Sequence, residues 1–258
     1  MNNPGRRAAV IIALAITVVV NGLANALPIN GQTTGDIANR LGIFFLPAGY
    51  VFSIWGLIYL GLAAYAVYQA LPAQRDNRRL ASIGWPFVAT CAANSAWIFA
   101  WHHEQFALSL ALMLALLGAL ILIYRRLEIG RSVVSAGERW LARLPFSIYL
   151  GWITVATVAN VAATLRVAGW NGWGIAPEVW TAIMLVVATV IGALVILRRA
   201  DIAYGLVLIW AFVGIIARFP DVPLVAISAG LTAAIVVVLL IIVAWRGSQP
   251  SRRAAASV

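Results

Sequence analysis

The sequence contains no lysine: all 18 of its basic residues are arginines, set against 8 acidic residues and 2 histidines. Charged residues make up 10% of the chain, where a soluble domain carries about a quarter. So little charge cannot keep a folded surface in water, and a soluble cytosolic enzyme is excluded. The single cysteine, Cys91, excludes an internal disulfide and a cysteine-based metal cluster. Its place inside an apolar run reads as a small buried hydrophobe. HExxH, phosphate-loop, Gly-x-Ser-x-Gly and CxxC motifs are all missing, which removes the usual hydrolytic, nucleotide and redox signatures. No acidic residue lies deep in an apolar run, so a proton pump built on a buried carboxylate relay is disfavoured.

What the chain has instead is apolar residues, 63% of the total, with a mean hydropathy of +0.95. They fall into eight runs, at 8–26, 49–70, 82–101, 106–124, 144–165, 178–197, 202–218 and 223–245. A membrane-spanning helix needs roughly 20 such residues, and helices satisfy their own backbone groups in lipid. The expected fold is therefore all-α, a polytopic membrane helix bundle of about eight transmembrane helices. The run at 202–218 is the shortest. Proline- and glycine-containing breakers separate the runs, among them Pro28 to Pro47, Leu71-Pro72, Gly130, Gly169 to Pro177 and Pro220 to Pro223.

Arginine placement orients the bundle. With the N-terminus inside, alternate loops carry 15 arginines on the inner side and only Arg40, Arg166 and Arg218 on the outer side. This follows the positive-inside rule and predicts both termini cytoplasmic in a bacterial-type inner (cell) membrane. The same placement explains the net charge of +10 without a nucleic-acid partner. Residues 1–26 also read as a signal peptide ending at Ala24-Asn25-Ala26, but retaining the first helix is what makes the charge count consistent.

Three strings carry chemistry. The second run opens Phe45-Leu46-Pro47-Ala48-Gly49-Tyr50-Val51-Phe52-Ser53-Ile54-Trp55 and continues to Tyr59; the third holds Asn94-Ser95-Ala96-Trp97; the fifth runs from Tyr149 through Trp152 and Ala156-Thr157 to Asn160. In this order they resemble the tryptophan-rich sensory protein family (TspO, also called the translocator protein or peripheral benzodiazepine receptor family). The resemblance covers about residues 8–167. Phe45 stands where the family has tryptophan, Ala48 where it has a second proline, and the first loop, Pro28 to Gly35, is polar and flexible rather than tryptophan-rich. The resemblance implies a five-helix unit at 1–167, with 168–258 as a three-helix membrane extension ending in an Arg-containing cytoplasmic tail.

The residues themselves suit a flat ligand. Trp55 and Tyr59 are four apart and share a helix face, as do Asn94 and Trp97, with Trp101 extending that stripe. Trp152, Ala156 and Asn160 step by four along a third face, and the small alanine leaves a gap. Tryptophan offers a stacking face and one N–H donor; asparagine offers donor and acceptor. The ligand-binding candidates are Trp55, Tyr59, Asn94, Trp97, Trp152, Ala156 and Asn160, with Asn21 and Asn25 as a further polar stripe. Trp101, Trp140, Trp170, Trp173, Trp180 and Trp245 sit near run ends and read as interfacial belt residues. His102-His103-Glu104 reads as a solvated turn, with a heme-ligating histidine as the sharper alternative. Ala89, Ala92, Ala93, Ala96 and Ala100 give the third helix a small-residue face that fits a homodimer.

With the resemblance, these features predict a membrane protein that binds a porphyrin, heme or similar planar hydrophobe for sensing, trafficking or turnover, with no obligatory cofactor, no metal site and no catalytic residues. A transporter of a small amphipathic solute and a light-dependent porphyrin-degrading enzyme are the alternatives.

Overall fold

The computed structural model describes residues 3–27 and 29–248, and every regular element among them is helical. All eight apolar runs become helices. They are α1 (Pro4–Ala26), α3 (Ile54–Ala70), α4 (Arg78–His102), α5 (Phe106–Arg126), α6 (Leu144–Val167), α7 (Pro177–Arg199), α8 (Ile202–Arg218) and α9 (Pro223–Ser248), with a short α2 (Thr34–Arg40) between the first two. The C-terminal tail at 249–258 lies outside the described residues.

Caps explain where the helices begin. Asn3 accepts the Arg6 amide at 3.0 Å, with Pro4 in the first turn, so α1 starts before its apolar run. Asn77 accepts the amides of Arg79 and Leu80 at 3.1 and 3.2 Å, which starts α4 at Arg78 rather than at residue 82. Asp201 accepts the Tyr204 amide at 3.1 Å and starts α8. Pro86 interrupts α4 and cannot donate to the Ser82 carbonyl; the Arg126 guanidinium donates to that carbonyl instead.

Six helices are long and apolar enough to cross a bilayer: α1, α3 with its preceding turn Gly49–Ser53, α5, α6 with the turns before it, α7 and α9. α8 has 17 residues and is shorter. α4 has 25 residues, but Trp85, Pro86, Asn94, Ser95 and Trp97 lower its hydropathy. The outward faces are apolar, as lipid contact requires: Ile12, Leu60, Val186 and Ile241 are all more than half exposed. The chain is thus a multi-pass membrane helix bundle.

The helices alternate in direction, giving the bundle two chemically distinct ends. At one end, Arg6 donates to the Ala81 carbonyl, Arg79 pairs with buried Glu138 at 2.7 Å, and Arg199 donates to the Ile129 carbonyl. At the other lie α2, the α4–α5 turn with the Arg40–Glu104 pair, and Arg218. α4 packs between α1 and α5, α5 packs on α6, and α8 lies against α6 with α7 and α9 around it. An aromatic triad of Tyr65, Phe87 and Phe146, with ring centroids 5.0–5.8 Å apart, ties α3, α4 and α6 together.

α1 is an integral part of this core. Thr17 donates to the Cys91 carbonyl and Asn21 to Asn94. Cys91 is buried, as its apolar setting predicts. Of the five alanines that suggested a small-residue face on α4, Ala89, Ala92 and Ala96 are exposed, while Ala93 is half-buried and Ala100 buried.

The last three helices are keyed into the first five. The buried Asp201 carboxylate accepts from Tyr124 at 2.8 Å and Ser147 at 2.7 Å, joining α8 to α5 and α6. Near the other end, the Ala48 amide donates to the Gly214 carbonyl at 3.0 Å, and the Trp210 indole to the Val51 carbonyl at 3.0 Å. Only glycine fits at 214, because a Cβ there would collide with the side chains of Val51 and Pro47.

Candidate ligand cavity

A cavity of about 660 Å³ opens among α1, α3, α4 and α6 beneath α2, within the 300–1,000 Å³ range of small-molecule sites. Trp55, Tyr59, Trp97, Trp152 and Ala156 all line it. Trp55 stacks on Tyr59 with centroids 5.4 Å apart and 21° between the planes. Trp152 stands nearly perpendicular to Trp55 and to Phe52, at 6.3 and 5.6 Å. Gly22, Gly49 and Gly56 also line the cavity, and a Cβ at any of them would meet open space.

The polar atoms of this cavity are the informative part. The Trp97 and Trp152 indole nitrogens and the Tyr59 hydroxyl are buried without a hydrogen-bond partner. Buried polar groups are nearly always paired, and each one left unmet costs about 1–3 kcal/mol. These three groups belong to cavity-lining residues of α3, α4 and α6, and none of them is met within the protein.

Asn94 and Asn160 play different parts. Asn94 is buried outside the cavity lining; its amide oxygen accepts from Asn21 at 2.7 Å, and its nitrogen donates to the Tyr149 hydroxyl at 3.4 Å. It therefore holds Asn21, which does line the cavity. Asn160 pairs with Ser109 and faces a side recess of about 70 Å³ shared with Trp97, Trp152 and Ala156. Sequence reasoning missed Phe52, Met113 and Arg218 as lining residues. Phe52 lay inside the motif already quoted; Arg218 is far away in sequence and carries no local signal.

The lid is ordered, contrary to the expectation of a flexible loop. Thr33 and Asp36 form a reciprocal cap on α2, the Thr33 hydroxyl donating to the Asp36 carboxylate at 2.7 Å and accepting the Asp36 amide. That Thr-x-x-Asp spacing was visible in the sequence. These bonds hold the Asp36 carboxyl below its ordinary range. The Arg40 guanidinium, followed by Gln32, does the same for Glu104.

His102 corrects the solvated-turn reading. It is fully buried, with Nδ1 3.2 Å from the Ile29 carbonyl and Nε2 2.9 Å from the Thr34 hydroxyl. A carbonyl only accepts, so Nδ1 carries a proton. Both ring nitrogens are engaged in pinning the lid, whereas His103 and Glu104 are exposed. Trp101 is likewise no belt residue. It is buried, stacked on Trp97 at 5.5 Å, and donates to the Thr34 carbonyl because α2 folds down over it. Trp140, Trp173 and Trp245 are exposed, as an interfacial position requires. Among the described residues, no group of three or more His, Cys, Asp or Glu side chains could hold a metal ion.

A family model described as TSPO-like protein matches residues 7–243. The chain belongs to the TSPO-like protein family. The match runs beyond residue 167 through α7 and α8 and into α9, so the TSPO-like pattern includes the helices that the resemblance alone left uninterpreted. No curated protein and no solved structure matches the chain. A multi-pass TSPO-like protein with an aromatic cavity of this size is consistent with the binding of small hydrophobic or planar ligands in general.

Proposed function

We propose that the protein binds a porphyrin, or heme, in the cavity beneath α2, for sensing, trafficking or turnover of that ligand. The observation that carries this reading is the set of unmet polar atoms on Trp97, Trp152 and Tyr59, arrayed on an otherwise apolar aromatic wall. A flat molecule with apolar faces and polar edges would cover the rings, and a small turn of these side chains on binding would bring the unmet donors to its edge. Among the cavity-lining residues no imidazole or thiol is present, so a metal-free porphyrin is the better probe. In the same reading the eight long helices all span, Arg6 and the other clustered arginines lie on the cytoplasmic side of a cell membrane, and the lid faces outward. Helices α1 to α6 supply most of the cavity, and α8 braces it.

Spectral titration of the purified protein with protoporphyrin IX and heme, in darkness and in light, tests this. Saturable binding without ligand loss supports a binding or sensing role. Ligand loss in light marks an enzyme, net flux in vesicles marks a transporter, and the absence of saturable binding overturns the reading. Reporter fusions after Arg79 and Arg143 should report cytoplasm, and fusions at Asn171 the outside; the reverse pattern overturns the topology.

A further inference from the structure

We propose that Arg218, at the end of α8, anchors a carboxylate of the cavity's ligand, so that the protein selects flat hydrophobic acids over their neutral counterparts. This rests on the cavity being the ligand site and adds the chemical class of the ligand.

Arg218 is the one charged side chain among the described residues that line the cavity. It comes from α8, while the aromatic wall comes from α3, α4 and α6. One guanidinium nitrogen donates to the Asn39 amide oxygen of α2 at 2.8 Å. The Nε is buried with no partner, and the group lies 5.3 Å from the Phe219 ring centroid. No described carboxylate lies within ion-pair range of it.

The two other arginines assigned to this end differ. Arg40 is paired with Glu104 at 2.7 Å, and Arg166 is exposed to solvent away from the cavity. Of the three, Arg218 is the half-buried one, has no carboxylate partner and borders the cavity. A guanidinium presents five donors in a fork that matches a carboxylate, and removal from water strengthens the pairing. Asn39 engages one of those donors and fixes the fork at the rim. A ligand lying with its rings against Trp55 and Trp152 would then point an acidic edge toward Arg218. Its remaining polar edge would face the unmet donors of Trp97 and Trp152.

The test uses the full-length protein, with protoporphyrin IX, which carries two carboxylates, and its dimethyl ester, which carries none. Wild type should bind the diacid at least about tenfold more tightly than the diester, the scale of one charge-assisted pair. Arg218→Gln should abolish that preference by weakening the diacid about tenfold and moving the diester less than about twofold; Arg218→Lys should keep part of it. Equal affinity of wild type for the two probes overturns the proposal without recourse to any variant. So does an equal loss for both probes in a well-folded Arg218→Gln protein, which would mark a merely structural arginine. If neither probe binds wild type saturably, the porphyrin reading itself fails, and the anchor with it.

Discussion

Two of the tryptophan-lined hollows in the bundle differ in what their polar atoms are doing. The cavity beneath α2 leaves the Trp97 and Trp152 indoles and the Tyr59 hydroxyl without partners. The second hollow, about 370 Å³ beside α6 and α7, is lined by Trp170 and Trp180, whose ring centroids are 4.9 Å apart. There the Trp180 indole already donates to the Gly172 carbonyl at 2.8 Å. Aromatic content is therefore a poor guide to a binding site in a membrane bundle, where tryptophans also serve the interface. Buried donors without a partner separate the two among the described residues.

The strongest way to break this comparison is to remove an aromatic wall from each hollow. Trp152→Ala should weaken porphyrin binding by about 1–3 kcal/mol, whereas Trp180→Ala should leave it within about twofold. Fluorescence titration measures both, and equal responses would show that the hollows have been ranked wrongly.

Glycines sharpen the contrast next. Gly56 sits in helix α3 with open cavity where its Cβ would be, so Gly56→Leu should cut porphyrin affinity by about tenfold while thermal stability holds or rises. Gly172, in the second hollow, has φ +64°, and a Cβ there would press on the Trp180 indole. Gly172→Ala should therefore lower the melting temperature, at a cost of about 1–2 kcal/mol, and leave binding alone. A Gly56→Leu protein that binds normally would count against the cavity.

A smaller effect is expected from Tyr59→Phe. Deleting a buried hydroxyl that has no partner should leave the ligand-free protein as stable as before, or slightly more so, while bound ligand loses about 0.5–1.5 kcal/mol. Calorimetric melting with and without protoporphyrin IX distinguishes this from general destabilisation, which would lower both melting temperatures.

The smallest expected effect is that of pH on the lid. Asp36 and Glu104 both have carboxyl groups held below their ordinary values by Thr33 and by Arg40. Their contribution is present above the unfolded values of about 4 and is lost as pH falls through the lowered folded ones. Amide exchange in 29–40, relative to the unstructured rate, should stay flat from about pH 8 to 5 and accelerate only below about pH 4. Acceleration already at about pH 6 would overturn the assignment to these two carboxyl groups.

Much of the architecture was readable in the chain. Apolar runs located all eight long helices because a long run of apolar residues satisfies its own backbone groups in lipid only as a helix. α2 was hidden by its polarity, although Thr33 and Asp36 encoded its start. The motif residues on α3, α4 and α6 converge as expected for Trp55, Tyr59, Trp97, Trp152 and Ala156. Asn94 did not, because spacing places a residue on a face but cannot say that Asn21 on a neighbouring helix will engage it. Arg218 was invisible as a lining residue for a related reason: nothing local distinguishes a helix-end arginine at a membrane surface from one turned over a cavity. The burial of His102 and Trp101 follows from the lid folding onto them, which is a tertiary event.

The main-chain bond from Ala48 to Gly214 bears on how the protein is made. The segment leading into α3 enters the membrane early in synthesis, yet its carbonyl partner arrives on α8, most of the chain later. The hollow beneath α2 therefore takes its final shape only when α8 has packed against the earlier helices. A half-made or clipped chain would lack the rim that α8 gives the hollow.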